Sequence, residues 1–532
     1  MKWKVFFVWI VSGISLSSVA LHTRKPCKII KTTYGYVCEN SDNYCDDLKM
    51  PEPCGDEYIL VTSSKNKHRF IYDVGTFENG ADDKNCSNVI EIDQSEMYQE
   101  IRGFGGAYTT TITNLVNDYL SPKLRRCFFK SYFSHTIGAA YTLLRIPIGG
   151  SDFDTEPWAY NMYPENDTNL SNFTRLNHRD IRRNAQIKEM MCVSKNQDVK
   201  ILGGTWGPPK SWKELGRWGG GTDNQLKKEF YQAWADYHLR WINLMKEDNM
   251  NILAISTGNE PKSAAQITSQ ILSWNPDDQS RWIAKFLGPT LIGSNVEIHA
   301  FDENRDLAPD WLNRMKQGDE EAFDFVSAFD FHAYSDKALG PEYLDQLMEQ
   351  YPDKEIWYTE MCFGAFFMTK NIGPRLGLWK RAEELIKILI ENLTHWVVGY
   401  IDWNLMLDHT GGPSYINNSI DAPIILSKDK KKMYKQPLFY VMAHFSKFIP
   451  AGSTRIDAKI SGCMSDKLLT AAFLQPNKKI TVIIYNDELR SVGLTVNDKT
   501  KGKVNIKLEP KSINTLVYDT NCKRSKSRKK CC

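Results

Sequence analysis

Asn251-Ile252-Leu253-Ala254-Ile255-Ser256 runs without a charge into Thr257-Gly258-Asn259-Glu260-Pro261. So short an apolar run, bounded by turn residues, reads as a parallel strand buried on both faces. Runs of the same texture recur along the chain. They are Gly103-Phe104-Gly105-Gly106-Ala107, Tyr141-Thr142-Leu143-Leu144-Arg145, Val199-Lys200-Ile201-Leu202-Gly203, Val296-Glu297-Ile298-His299-Ala300, Ser327-Ala328-Phe329-Asp330-Phe331, Ile356-Trp357-Tyr358-Thr359 and Val398-Gly399-Tyr400-Ile401-Asp402-Trp403. Helical patterns separate them. Before the fourth run, Phe230, Trp234, Tyr237, Trp241, Leu244 and Met245 recur at three- and four-residue steps, with Lys227, Lys228, Asp236 and Arg240 between them. One such stripe predicts no more than an amphipathic helix. Eight alternations over residues 101–405 predict an α/β fold, a (β/α)8 TIM barrel.

Outside the barrel the spacing shortens. Leu468-Leu469-Thr470-Ala471-Ala472-Phe473-Leu474, Ile480-Thr481-Val482-Ile483-Ile484-Tyr485, Val504-Asn505-Ile506-Lys507-Leu508 and Thr515-Leu516-Val517-Tyr518 read as strands separated by turn residues. They predict an all-β sandwich over 441–520, completed from before the barrel (55–100) by Tyr58-Ile59-Leu60-Val61-Thr62 and Ile90-Glu91-Ile92.

The first twenty residues differ from the rest. Lys2 and Lys4 precede an apolar stretch over 5–14, and Ser18-Val19-Ala20 offers small residues for cleavage, so 1–20 reads as a secretory signal peptide. The stretch is short for a membrane anchor. Six Asn-x-Ser/Thr sequons, at Asn85, Asn166, Asn169, Asn172, Asn392 and Asn417, agree with passage through the secretory pathway. Such a chain meets an oxidising compartment. Cys27, Cys38, Cys45 and Cys54 allow three pairings, of which Cys27–Cys38 with Cys45–Cys54 keeps the loops shortest. The remaining cysteines show no metal-ligand spacing. A net charge of +3 argues against nucleic acid as a partner. Residues 521–532 form a basic tail that reads as a disordered end.

Active sites of such barrels sit at the C-terminal ends of the strands. Glu260 follows the fourth run and Glu360 closes the seventh. A lone glutamate there is more often a cap or an ion-pair partner, and Asn-Glu-Pro by itself says little. Two at the same end of one barrel face a shared cavity. A neutral carboxylic acid and an ionised carboxylate on either side of a sugar suffice to cleave a glycosidic bond, with retention when they stand roughly 5–5.5 Å apart. Burial and mutual repulsion raise the acid, and hydrogen-bond donors hold the nucleophile down. His332 and Tyr334, past the sixth run, are candidate donors, although His-Ala-Tyr reads equally well as a satisfied buried pair. Trp206 and Trp403, closing the third and eighth runs, offer flat faces to a pyranose, and Asp152 and Asn418 offer partners to its hydroxyls. Tryptophan is usually core and aspartate usually caps a turn, so these candidates rest on their shared end of the barrel. No zinc-protease, Walker or nucleophile-elbow motif is present, and Cys362 lacks a histidine suited to a cysteine nucleophile.

These residues carry a resemblance. The blocks Gly103-Phe104-Gly105-Gly106-Ala107, Arg145-Ile146-Pro147, Asp152-Phe153, Asn259-Glu260-Pro261, Leu287-Gly288-Pro289-Thr290-Leu291, Asp402-Trp403-Asn404-Leu405, Asp421-Ala422-Pro423-Ile424-Ile425 and Tyr434-Lys435-Gln436-Pro437-Leu438-Phe439-Tyr440 resemble the lysosomal acid β-glucosidases (glucosylceramidases) of glycoside hydrolase family 30. The resemblance implies Glu260 as acid/base and Glu360 as nucleophile. It implies Asp152, Trp206, Asn259, Trp403 and Asn418 as the glucosyl-binding set, supported by Arg145, His332 and Tyr334. It further implies a small disulfide-bonded antiparallel sheet from 21–54 and 406–440, and no metal or cofactor. A glycosphingolipid at a membrane surface is the implied substrate, a saposin-type activator and anionic lipid the implied partners, and the lysosome the implied location, with secretion as the alternative. The chain departs from the family pattern in places. Its first motif continues Tyr108-Thr109-Thr110 rather than Thr-Asp, and Cys38-Glu39-Asn40 replaces a Cys-x-Cys, which turns Cys45 toward Cys54. The loop after Glu260, Ala264-Ala265-Gln266-Ile267-Thr268-Ser269-Gln270, is short and lacks aromatics, Ser419 replaces a phenylalanine, and Trp212 comes one step late. All but the first two of these changes fall on the aglycone side of the expected site.

Overall fold

A computed structural model describes residues 24–77, 88–365 and 372–520. The signal segment, the Asn85 sequon and the basic tail lie outside them. Eight parallel strands close a barrel in sequence order: Gly103–Ala107, Leu143–Ile148, Lys200–Thr205, Ile252–Ser256, Glu297–Asn304, Val326–His332, Glu355–Glu360 and Val397–Asn404. The last pairs with the first, Gly399 opposite Gly103 and Ile401 opposite Gly105. Glycine is needed there because a Cβ on Gly105 would meet the Leu143 carbonyl oxygen at 2.0 Å.

Barrel strands are buried on both faces, which is why they read as continuous apolar runs. The helix of the aromatic stripe spans Tyr231–Glu247 and buries Trp234, Tyr237, Trp241 and Met245, while Lys228–Phe230 forms a separate 3-10 turn before it. The fifth strand outruns its sequence signal by four residues, from Ala300 to Asn304, and its pairing is interrupted between Phe301 and Glu303.

A nine-stranded sheet holds the sandwich. It includes the expected strands Glu57–Ser64, Asn88–Glu100, Leu468–Leu474, Lys479–Asn486, Gly502–Leu508 and Ser512–Asp519, together with Ile71–Thr76, Thr454–Ser461 and Val492–Asp498. Its ribbon folds over one apolar cluster in which Ile90, Leu494 and Val504 meet Leu60, Val482 and Leu516. A third sheet runs Ile29–Lys31, Tyr36–Ser41, Lys432–Lys435, Ile424–Leu426, Met406–Leu407, and all its pairs are antiparallel except the last.

Cys27 bonds Cys38 as the shortest-loop pairing has it. Cys45 does not turn to Cys54; it bonds Cys127 on the helix Pro122–Phe133, with 5.9 Å between the Cα atoms. Loop length weighs only chain entropy. What decides here is that the chain after Tyr36–Ser41 runs along that helix, where Asn40 also accepts from Cys127. Asn392 is another correction. It is 1% exposed, donates to Asp336 and accepts from Arg305, so its sequon offers no free amide in the folded chain. No helix among the described residues is long and apolar enough to cross a membrane.

Candidate active site

Glu360 is the last residue of the seventh strand. Glu260 lies four residues beyond the fourth strand, on a backbone held at φ +45°. That left-handed conformation is costly for a residue with a Cβ, and neighbours fix it. The Glu260 amide donates to the carbonyl of Asp302 at 2.9 Å, Asn259 donates to that of Thr205 at 2.9 Å, and Ala264 donates back to Glu260. Asp302 is itself left-handed, at φ +49°, in the irregular end of the fifth strand. Two distorted strand ends therefore lock together and aim Glu260 across the barrel mouth.

The nearest oxygens of Glu260 and Glu360 and a ring nitrogen of His332 all lie within 4.8 Å of one another. Arg145, on the second strand and fully buried, donates through Nη1 to Glu360 Oε2 at 2.5 Å. Through Nη2 it donates to Asn259 Oδ1 at 2.7 Å and Asp302 Oδ2 at 2.8 Å. Asn259 Nδ2 is thereby left as its donor toward the cavity. Tyr334 donates to Glu360 Oε1 at 2.7 Å. His332 bridges Glu260 Oε1, at 3.1 Å from Nδ1, and Asp302 Oδ1, at 3.0 Å from Nε2.

Burial opposes the charge on His332, but Glu360 beside it and the bonds to Asp302 and Glu260 raise it well above the usual imidazole range. It is an imidazolium donating from both nitrogens. Burial likewise opposes ionisation of Asp302, yet Arg145, His332 and Ser256 hold it well below the usual carboxylate range. Burial raises Glu360, with His332 and Arg145 pulling against it. Both its oxygens already accept hydrogen bonds, so the network is built around the ionised form. Glu260, His332 and Glu360 also have a spacing that a metal ion uses. Both ring nitrogens are committed to carboxylates, however, and the cluster supplies its own cations, so the donor set does not fit one.

All the sugar-facing candidates share one cavity of about 480 Å³. Asp152, Trp206, Asn259, Glu260, Tyr334, Glu360, Trp403 and Asn418 line it, and Arg145 and His332 stand behind its wall. Asn418 donates to Asp152 at 3.1 Å. Burial pushes Asp152 up to about 7, with Asn418 opposing. Trp206 and Trp403 stack on each other, centroids 5.3 Å apart, with the Arg145 guanidinium over both. They form one joined floor rather than two separate platforms. Burial raises the Cys362 thiol well above its usual range, against a bond from Tyr334, so no thiolate nucleophile stands here.

Sequence reasoning missed Asp302, which accepts from Arg145, Ser256, Thr359 and His332. It also missed Gln270, which fixes the short loop after Glu260. The Gln270 side chain accepts from the amide of Trp158 at 2.9 Å and donates to its carbonyl at 2.8 Å. Lys213 donates to the carbonyls of Ile271 and Trp218, both at 2.6 Å.

Residues 101–449 match the model of the glycosyl hydrolase family 30 TIM-barrel domain, and 452–516 that of the family 30 beta sandwich domain. The lysosomal acid glucosylceramidase of Mus musculus is 31% identical over 93% of this chain and 96% of its own. Putative glucosylceramidase 3 of Caenorhabditis elegans is 29% identical over 97% of this chain and 99% of its own. The solved structure of SrfJ from Salmonella typhimurium superposes with a TM-score of 0.77 at 23% identity, over 87% of this chain and all of that one, and shares the fold. With barrel and sandwich both matched, the chain is a glycosidase and belongs to glycoside hydrolase family 30.

Proposed function

We propose that the protein is a retaining β-glucosidase that cleaves glucosylceramide to glucose and ceramide. Glu260 acts as acid/base and Glu360 as nucleophile. The observation that carries this reading is the approach of the two carboxylates to within 4.8 Å beside a sugar-sized cavity, close to the roughly 5–5.5 Å of retaining enzymes. In the first step Glu260 gives its proton to the glycosidic oxygen while a Glu360 oxygen bonds to the anomeric carbon and ceramide leaves. In the second step Glu260 takes a proton from water, which displaces Glu360 and releases glucose with its configuration kept. Asp152, Asn259 and Asn418 bind hydroxyls over the Trp206–Trp403 floor. Arg145 and Tyr334 hold Glu360 in line, and His332 orients Glu260.

Two glucosylceramidase-named relatives and the apolar lining residues Ile267, Ile271, Ile372 and Ile416 support a lipid aglycone. The name of the mouse relative and the disulfides support a route through the secretory pathway to the lysosome. An anionic lipid surface and a saposin-type activator complete the proposal. A cyclophellitol-type β-glucoside trap is expected to label Glu360, and Glu360→Gln to abolish both labelling and hydrolysis while the fold stays intact. A label on any other residue would remove the assignment.

The aromatic-free loop favours a second reading, a related barrel glycosidase acting on another β-glucoside or on an oligosaccharide. Turnover of glucosylceramide compared with aryl and sterol glucosides separates the two.

A further inference from the structure

Asn417 begins the sequon Asn417-Asn418-Ser419. The other described sequon asparagines (Asn166, Asn169, Asn172 and Asn392) line no part of the catalytic cavity; Asn417 does. It is exposed, sits in a turn at φ +58°, and closes that turn by donating its amide to Ser414 at 3.0 Å. Its side chain has no hydrogen-bond partner among the described residues. By contrast Asn392 is buried and doubly bonded, and the side chain of Asn172 donates to the Tyr163 carbonyl at 2.6 Å. Exposure, a turn and an uncommitted amide are what an N-glycan acceptor needs.

The neighbours give this position its consequence. Ile416 precedes it and is 40% exposed; Ile372, which lines the same cavity, is 49% exposed. These are the apolar side chains at the mouth that can enter a lipid surface. A branched, hydrated oligosaccharide bonded beside them holds the mouth in water.

We infer that Asn417 carries an N-linked glycan that stands over the aglycone side of the pocket and limits its contact with a lipid surface. Attachment uses a lipid-diphosphate-linked oligosaccharide as donor. Nδ2 bonds to the anomeric carbon and loses a proton, the bond from that carbon to the diphosphate oxygen breaks, and the lipid diphosphate leaves. The inference rests on the secretory and β-glucosidase readings above, yet neither of its tests needs hydrolysis, so a failure to label Glu360 and a failure here are separate results.

The test uses the full chain, secreted from a eukaryotic host whose glycans stay high-mannose. Mass analysis of the peptide containing Asn417 is expected to find the oligosaccharide. The same protein is then co-sedimented with phosphatidylcholine vesicles before and after an endoglycosidase trims each glycan to one sugar. Trimming is expected to raise the vesicle-bound fraction roughly threefold or more, the free energy of placing part of two isoleucines in lipid. In Asn417→Gln, trimming is expected to add nothing. An unmodified Asn417, an unchanged vesicle-bound fraction after trimming, or an equal gain in Asn417→Gln would each overturn the proposal.

Discussion

Arg145, Ser256, His332 and Thr359 converge on Asp302, which in turn keeps His332 charged and aimed at Glu260. Glu360 is held more simply, by one donor on each oxygen. Tyr334→Phe removes the donor on Oε1 and keeps the ring. A hydrogen bond to a charged group is worth about 1.5–3 kcal/mol, so kcat/KM is expected to fall about 10- to 100-fold, mainly through kcat. Steady-state kinetics on an aryl β-glucoside checks this, and a change confined to KM would mean that Tyr334 serves the substrate rather than the nucleophile. At this scale the two glutamates were legible because each follows an unbroken apolar run. Asp302 was not. The fifth run looks finished at Ala300, and the strand reaches Asp302 only through an irregularity that has no periodic signature.

The loop after Glu260 is an element whose sequence hides its rigidity. It looks like a short polar connection, yet it is fastened at several points. Gln270 holds both backbone groups of Trp158, Tyr415 accepts from the Gln270 amide at 3.0 Å, and Lys213 spans Ile271 and Trp218. Glu303 takes up its start by accepting from the amide and hydroxyl of Ser263. The partners of Gln270 stand 112 and 145 positions away, beyond the reach of any local pattern. Ile267, Ser269, Gln270 and Ile271 all line the cavity, so the fastening shapes the aglycone wall. Gln270→Ala leaves the Trp158 amide unpaired, while its carbonyl still accepts from Gly150 at 2.9 Å, at a cost of roughly 1–3 kcal/mol in denaturant unfolding. It is also expected to raise KM for a long-chain alkyl glucoside more than for a small aryl glucoside. Equal rises in both would exclude a part for Gln270 in that wall.

Over the whole molecule, buried titratable groups set the response to pH. Burial pushes Asp152 and Asp402 up to about 7 and Asp330 and Asp336 up to about 6. Each such carboxyl stabilises the fold fully below its unfolded value of about 4 and ceases to do so as pH rises through its folded value. Burial lowers His238 to about 4 and His444 to about 3, and these act in the opposite sense, losing their contribution as pH falls below about 6.5. The four carboxyls outweigh the two imidazoles up to about pH 6, and Asp152 and Asp402 carry the decline to about 7. The thermal midpoint is therefore expected to be higher at pH 5 than at pH 7; a midpoint rising across that interval would show these carboxyls ionised in the folded chain. The barrel was legible at this scale because each strand announces itself. The third sheet was legible only through the family resemblance, since its strands Ile29–Lys31, Ile424–Leu426 and Met406–Leu407 are two or three residues long, too short to show a period. Strand Glu57–Ser64 finds its partner in Ser512–Asp519, which itself bonds Lys479–Asn486. A ribosome makes that partner only after the whole barrel, so the edge of Glu57–Ser64 that does not pair with Ile71–Thr76 stays open until then. Premature termination anywhere ahead of residue 512 would strand it there for good, a template for aggregation whether or not the barrel has closed.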